Sequence, residues 1–176
     1  MKEGGGGGLS GRWLFFLPGI LLILTLLDQA TKLLGVLYLK GRPPLVLIPG
    51  VLELSYLENR GIAFGLFQGR IPFFLVGTLG LFALGGYVFW RIPKTPYYLP
   101  LMILMTLLFS GALGNFMDRC FRGYVVDFIY VSLIDFPVFN LADVYVVLSV
   151  FFLMLFILLK YRDEHDFDFL RPGAPR

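Results

Sequence analysis

Phe139–Lys160 reads FNLADVYVVLSVFFLMLFILLK, an apolar run long enough to cross a bilayer as a helix, with a single acid, Asp143, near its start. An acid at the end of an apolar span needs a reason to be there. One is the helix terminus itself, whose dipole favours a carboxylate in the first turn. Another is a second acid. Val125–Val126–Asp127–Phe128–Ile129 sets Asp127 among aliphatic and aromatic neighbours. Burial disfavours the charged form, and two close acids do not both ionise cheaply. One protonated and one ionised carboxyl is the arrangement that activates water for peptide-bond hydrolysis. The two runs together predict an aspartyl protease built into a membrane.

Outward from the last span, three more apolar segments are found: Trp13 to Leu27 or on to Leu39, Ile71–Trp90 and about Tyr97–Ser110. The composition agrees, with 176 residues, 57% hydrophobic and only 15% charged, and a mean hydropathy of +0.79. Soluble domains are markedly less apolar. Nineteen Phe and nine Tyr suit a lipid-facing body with interfacial aromatic belts. Trp13, Pro18 and Gly19, with no small-residue cleavage site before Asp28, argue against a cleavable signal peptide. The expected architecture is a membrane α-helical domain over 13–160, with four transmembrane helices and a small extracytoplasmic β-rich cradle. A flexible leader (1–12) and a polar tail (161–176) flank it.

Several chemistries are excluded. One cysteine, Cys120, allows no disulfide framework and no multi-cysteine metal site; it reads as an incidental small apolar residue. The one histidine, His165, lies in the polar tail and reads as solvated, so a Ser–His or Cys–His unit or a histidine-rich zinc site is not expected. No metal or organic cofactor is implied. A net charge of +3 from scattered basic residues does not argue nucleic-acid binding.

The joins are unequal. Arg91–Pro96 is a tight basic turn, whereas about 40–70 and about 111–138 are long. Both long joins therefore lie on one side of the membrane, and both termini lie with the short turn on the other. Lys and Arg are nearly balanced between the two sides and do not settle the orientation by count; in the short loop, Arg91 and Lys94 favour a cytoplasmic short turn. In Val51–Leu57 the period-2 alternation of Leu52, Leu54 and Tyr56 is that of a half-buried strand. Pro43–Pro44 and Pro49–Gly50 bracket Leu45–Ile48 as turns. Such a sheet cannot face lipid with open edges, so it belongs at the interface over the acids.

Five blocks then occur in order: Asp28–Gln29–Ala30–Thr31–Lys32, Asn59–Arg60–Gly61–Ile62–Ala63–Phe64–Gly65, Gly111–Ala112–Leu113–Gly114–Asn115–Phe116–Met117–Asp118–Arg119, Val125–Val126–Asp127–Phe128, and Phe139–Asn140–Leu141–Ala142–Asp143. Together they resemble the successive motifs of bacterial lipoprotein signal peptidase (signal peptidase II). The resemblance implies an aspartyl endopeptidase of the bacterial cytoplasmic (inner) membrane with both termini cytoplasmic. Its substrate would be a prolipoprotein whose cysteine already carries diacylglycerol, cleaved just before that cysteine. Globomycin sensitivity and monomeric action are further expectations, with membrane lipid the only other partner.

Carried over residue by residue, the resemblance makes Asp127 and Asp143 the catalytic dyad. Asn59, Asn115, Asn140 and Arg119 become the supporting shell, with Gly61 beside Asn59 giving a tight turn. Amides can hold a carboxyl or a substrate backbone without adding charge. Arg119 can neutralise developing negative charge or contact the lipid's polar head; its bland reading is a partner for Asp118 or a snorkelling arginine. Asp118, the rival for a catalytic role, reads as structural, pairing with Arg119 or a backbone donor. Asp28 and Lys32, one turn apart, read first as an ion pair at the end of segment one and second as substrate contacts. Gly111 and Gly114, with Ala112, let segment three approach its neighbours. Gly61 and Gly65 suggest a hinge near Asn59. Val144 departs from the small or hydroxylated residue common in the pattern, which reshapes the pocket slightly.

Other classes predict different things. A proton-coupled carrier would place acids at mid-depth and show an internal repeat, neither of which the sequence has. A non-catalytic assembly factor would use the same acids for packing only. A Ser–Lys peptidase lacks a lysine at an evidently buried position beside Ser55, Ser110, Ser132 or Ser149.

Overall fold

A computed structural model describes residues 11–61, 70–171 and 173. The leader before Gly11, Ile62–Gly65 with its suggested hinge glycine, and the last residues of the tail lie outside the described residues. Four long helices follow from the four apolar segments: α1 (Gly11–Leu39), α2 (Ile71–Arg91), α3 (Leu99–Phe121) and α4 (Leu141–Leu159). All four are long and apolar enough to cross a membrane. Helix α3 is the centre of the bundle and packs against the other three. It buries Met102, Met105, Ser110, Gly111, Gly114 and Asp118, whereas α2 buries none of its residues and lies along the outside.

Segment one takes the longer of its two expected extents, and the end of segment three differs from the sequence reading. Helix α1 runs unbroken to Leu39, so Asp28 and Lys32 sit inside it rather than at its end. Helix α3 continues past Ser110 to Phe121, so the block from Gly111 to Arg119 is helical and the second long join starts only near Arg122, not Gly111. Glycines weaken a helix in isolation, but Gly111 and Gly114 serve the close approach expected of them. Here they are required by close packing. A side chain at Gly111 would collide with the Ala142 carbonyl, and one at Gly114 with the Asp28 carboxylate.

The two joins build one three-stranded antiparallel sheet, ordered β1 (Leu45–Ile48), β2 (Leu52–Asn59), β3 (Val125–Tyr130). Gly50, at φ +69°, makes the tight turn between β1 and β2 that other residues adopt reluctantly. The register pairs Leu57 with Asp127 and Asn59 with Val125. Strand β3 is buried at Val125–Phe128 and packs on α1 and α3, so the sheet lies across one end of the bundle.

The opposite end corrects the reading of 161–176 as a polar tail. Tyr161, Asp166 and Phe169 are buried, and Tyr161 and Phe169 join Leu17, Ile92, Leu101, Met102 and Met105 in one apolar cluster. Tyr98 donates its hydroxyl to the Asp166 carbonyl at 2.7 Å, and Tyr97 donates to the Asp166 carboxylate at 3.0 Å. His165 remains exposed, as expected, beside Asp168.

Candidate active site

Asp143 is placed by the start of α4. Asn140 is the N-cap, and its side-chain oxygen accepts the Asp143 amide at 3.0 Å, while the Asp143 carboxylate accepts the Asn140 amide at 3.1 Å. This reciprocal box satisfies two of the amides a helix start leaves unpaired. Its sequence signal is an asparagine three residues before an acid, ahead of an apolar run. Asn140–Asp143 carries that signal, and the dipole argument alone misses it. Just before the cap, Phe139 exchanges backbone hydrogen bonds with Ile129 at 2.8 and 3.0 Å. That bridge ties the start of α4 to β3 and brings Asp143 beside Asp127.

Asp127 points inward from β3 and is 1% exposed. One carboxylate oxygen accepts Asn59 Nδ2 at 2.8 Å and the other accepts Asn140 Nδ2 at 2.6 Å. Asp143 in turn accepts Asn115 Nδ2 at 2.7 Å. Asn140 therefore touches both acids, Asp143 through its oxygen and backbone amide and Asp127 through its nitrogen. Burial pushes the Asp127 carboxyl up to about 6, and the neighbouring Asp143 carboxylate adds to the rise. The amides of Asn59 and Asn140 oppose that rise only in part.

The two acids open on a cavity of about 440 Å³. One end is polar, with Asn59, Gly61, Asn115 and Arg119, and the other is an apolar wall of Val144, Val147 and Leu148 from α4 with Phe136–Phe139. Gly61 donates its amide to Asn59 Oδ1 at 2.9 Å, which turns the Asn59 nitrogen toward Asp127. Val144, the departure from the family pattern, lies on this wall next to Asp143.

The remaining candidates separate cleanly. Arg119 lines the cavity, with its guanidinium over the Phe74 ring at 4.8 Å, and is not the partner of Asp118. Asp118 is 1% exposed and away from the cavity lining. It pairs with Arg122 at 2.9 Å and Lys32 at 3.2 Å and accepts the Val126 amide at 3.1 Å. The backbone-donor part of the expectation for Asp118 holds; the Arg119 pairing does not. Sequence reasoning misses Arg122, although its spacing of four from Asp118 is the standard helical pair. Asp28 and Lys32 form a fully buried ion pair at 2.9 Å outside the cavity lining, so neither is placed to touch substrate.

Removing the cap residue should show how much it carries. Asn140→Ala is expected to cost about 1 kcal/mol from the cap alone, read as a lower melting temperature. Both acids also lose a donor or an orienting contact, so activity should fall far more than stability, by on the order of a hundredfold.

Four apolar spans with a carboxylate pair enclosed beneath a small sheet define an integral-membrane protein with an acid-pair site. Comparison with known proteins makes this specific. A sequence profile described as signal peptidase (SPase) II matches residues 20–159. Relatives include the lipoprotein signal peptidase of Streptococcus thermophilus (strain CNRZ 1066), 36% identical over 149 residues covering 85% of this chain and 94% of that protein. That of Clostridium novyi (strain NT) is 38% identical over 136 residues, covering 76% and 90%. One solved structure of a bacterial membrane enzyme aligns with a TM-score of 0.74 at 29% identity over 89% of this chain and 94% of its own. A second aligns with a TM-score of 0.72 at 33% identity over 87% and 96%. The chain belongs to the signal peptidase II family.

Proposed function

We propose that this protein is the aspartic endopeptidase that removes the signal peptide from diacylglyceryl-modified prolipoproteins in the bacterial cytoplasmic membrane, with Asp127 and Asp143 as its catalytic dyad. Membership of a peptidase family and a membrane architecture with four spans support the activity. The single observation that carries the site assignment is the enclosure of two carboxylates, both held by Asn140, on one cavity wall. The cavity's polar end suits a peptide bond, and its apolar wall suits a lipid-bearing residue. Arg91 and Lys94 favour a cytoplasmic short turn, which puts both termini inside and the sheet outside.

The dyad's asymmetry gives each acid a task. Asp143 sits in the first turn of α4, where its carboxylate accepts the Asn140 backbone amide and the Asn115 side-chain amide. Asp127 accepts the side-chain amides of Asn59 and Asn140 and is the acid driven toward protonation. Asp143 therefore takes a proton from water as the water oxygen bonds to the scissile carbonyl carbon. Asp127 gives its proton to the carbonyl oxygen. The resulting diol collapses as the C–N bond breaks; Asp143 returns a proton to the leaving nitrogen, and Asp127 regains its own from the diol. The products are a signal peptide ending in a carboxyl group and a lipoprotein with a free cysteine amine. Arg119, whose side chain lines the cavity, offsets negative charge as it develops.

A pH profile follows. In the free enzyme the proton on Asp127 is lost above about pH 6, so kcat/KM should fall with rising pH beyond that point. Bound substrate covers the cavity and deepens burial, which raises the value further, so kcat should hold to higher pH than kcat/KM. Coincident alkaline limbs for the two parameters would contradict this.

The activity itself is tested by incubating purified enzyme with a diacylglyceryl-modified prolipoprotein and reading the products by mass spectrometry. Release of a peptide ending just before the lipidated cysteine is the expected result. Cleavage elsewhere, or equal cleavage of a Cys→Ser substrate, would refute the lipoprotein reading.

A further inference from the structure

Lys32 is the one basic side chain among the described residues that is fully buried, and the mechanism above does not use it. Its ammonium has three partners: Asp28 at 2.9 Å, Asp118 at 3.2 Å and Asn115 Oδ1 at 2.8 Å. An ammonium has three N–H donors, so this set uses all of them. A buried pair of ions is by itself weak evidence for stability, because desolvation offsets most of the attraction. Its role is to be sought in what the ammonium holds in place.

Each partner leads to the dyad. Asp28 accepts the backbone amide of Ala142 at 3.0 Å, one residue before Asp143. Asp118 accepts the backbone amide of Val126 at 3.1 Å, one residue before Asp127. Asn115 donates its side-chain nitrogen to Asp143 directly. The ammonium also settles which way the Asn115 amide points. A cation on Oδ1 leaves only the NH₂ group to face Asp143. Three elements, α3, β3 and α4, thus meet on one atom of α1. The other charged groups around it are Arg122, which balances Asp118, and Arg119 on the cavity side.

We infer that Lys32 is a positioning residue of the active site, a buried hub that sets the separation and orientation of Asp127 and Asp143 without touching substrate. The inference rests on reading those two acids as the dyad. It assigns to α1, which supplies no described residue to the cavity lining, control over the geometry of the reaction. Displacing catalytic groups by about 1 Å typically costs about a hundredfold in rate. Loss of the hub should therefore appear in kcat and leave KM nearly unchanged.

Lys32→Met alone leaves two buried carboxylates short of a partner, so the decisive variant is Asp28→Asn combined with Lys32→Met. The asparagine introduced at position 28 can still accept the Ala142 amide, and Asp118 keeps Arg122 and the Val126 amide. Full-length wild type and double variant are compared on diacylglyceryl-prolipoprotein, with thermal unfolding in the same detergent. The expected result is a folded variant whose kcat is lower by about a hundredfold with KM within about threefold. A folded variant with near-wild-type kcat, or a loss expressed mainly in KM, would overturn the inference. So would a variant that does not fold, since the ammonium would then serve the bundle and not the dyad. Absence of cleavage by the wild type would instead overturn the proposed function, and the two failures are distinguishable.

Discussion

Asp127→Asn should abolish cleavage and at the same time make the protein more stable at neutral pH. The activity loss follows from removing the dyad's proton donor and should exceed about 10⁴-fold, the scale seen when a member of a cooperating catalytic set is removed. The stability gain follows from linkage. The Asp127 carboxyl lies at about 6 in the folded protein against an ordinary 3.8. A group whose value is raised on folding favours the folded state fully below its unfolded value and loses that contribution as pH rises through the folded one. A rise of this size corresponds to about 3 kcal/mol of penalty above pH 6 in the wild type. Asparagine carries no such penalty, although its amide must face donors from both Asn59 and Asn140, and one mismatch costs about 1 kcal/mol. The net gain should be about 1–2 kcal/mol at pH 7.5 by these same magnitudes. The difference in melting temperature should shrink as pH falls from 6 toward 4. A variant less stable than wild type across that whole range would show that burial of this acid carries no strain.

The second large effect is expected at Gly114. Its Cα faces the Asp28 carboxylate, and an added Cβ would collide with Asp28 Oδ2 and lie 3.4 Å from the Ala142 Cβ. Asp28 is not the free end of a mobile chain, because Lys32, Gln29 and the Ala142 amide hold it. Gly114→Ala must therefore push α3 away from α1 or α4. Overpacking of this kind costs roughly 1–3 kcal/mol, and the displaced Asp28 and Ala142 carry Asp143 with them. Melting temperature and kcat should both fall, the latter by about a hundredfold or more. Gly80→Ala on α2 is the matched control. Nothing lies within 4 Å of a Cβ there, and alanine favours a helix over glycine by about 1 kcal/mol, so this variant should be neutral or slightly more stable.

How much of the molecule is legible in the sequence depends on the kind of interaction. The four spans are, because lipid imposes a simple rule of length and hydropathy on each segment separately. The sheet is partly legible from the alternation in β2 and the prolines and glycine around β1. The two acids and their asparagines stand out because polar side chains in apolar surroundings have few bland explanations. What stays hidden depends on partners distant in sequence. Gly111 and Gly114 read as packing residues, but the neighbours they admit, Ala142 and Asp28, and the continuation of α3 through them show only in the fold. Lys32 looks like half of a boundary ion pair because Asn115 and Asp118 lie more than eighty positions away. In the tail, the polar residues of Arg162–Asp168 conceal Tyr161, Phe167 and Phe169, whose burial depends on Tyr98 and Leu17 across the bundle end.

The same contacts weigh against the alternatives. A carrier would need a path along the bundle axis, but the described acids near the axis are consumed by Lys32, Arg122 and backbone amides. Asp127 and Asp143 are the pair left facing a cavity. An assembly factor would have no use for two buried carboxylates opening on one cavity.

The most direct measurement is side-by-side cleavage of one diacylglyceryl-modified prolipoprotein by wild type, Asp127→Asn and Asp143→Asn, each confirmed folded by its melting transition. A released signal peptide is expected from wild type alone. Cleavage by either folded variant above background would contradict the dyad and place the chemistry elsewhere.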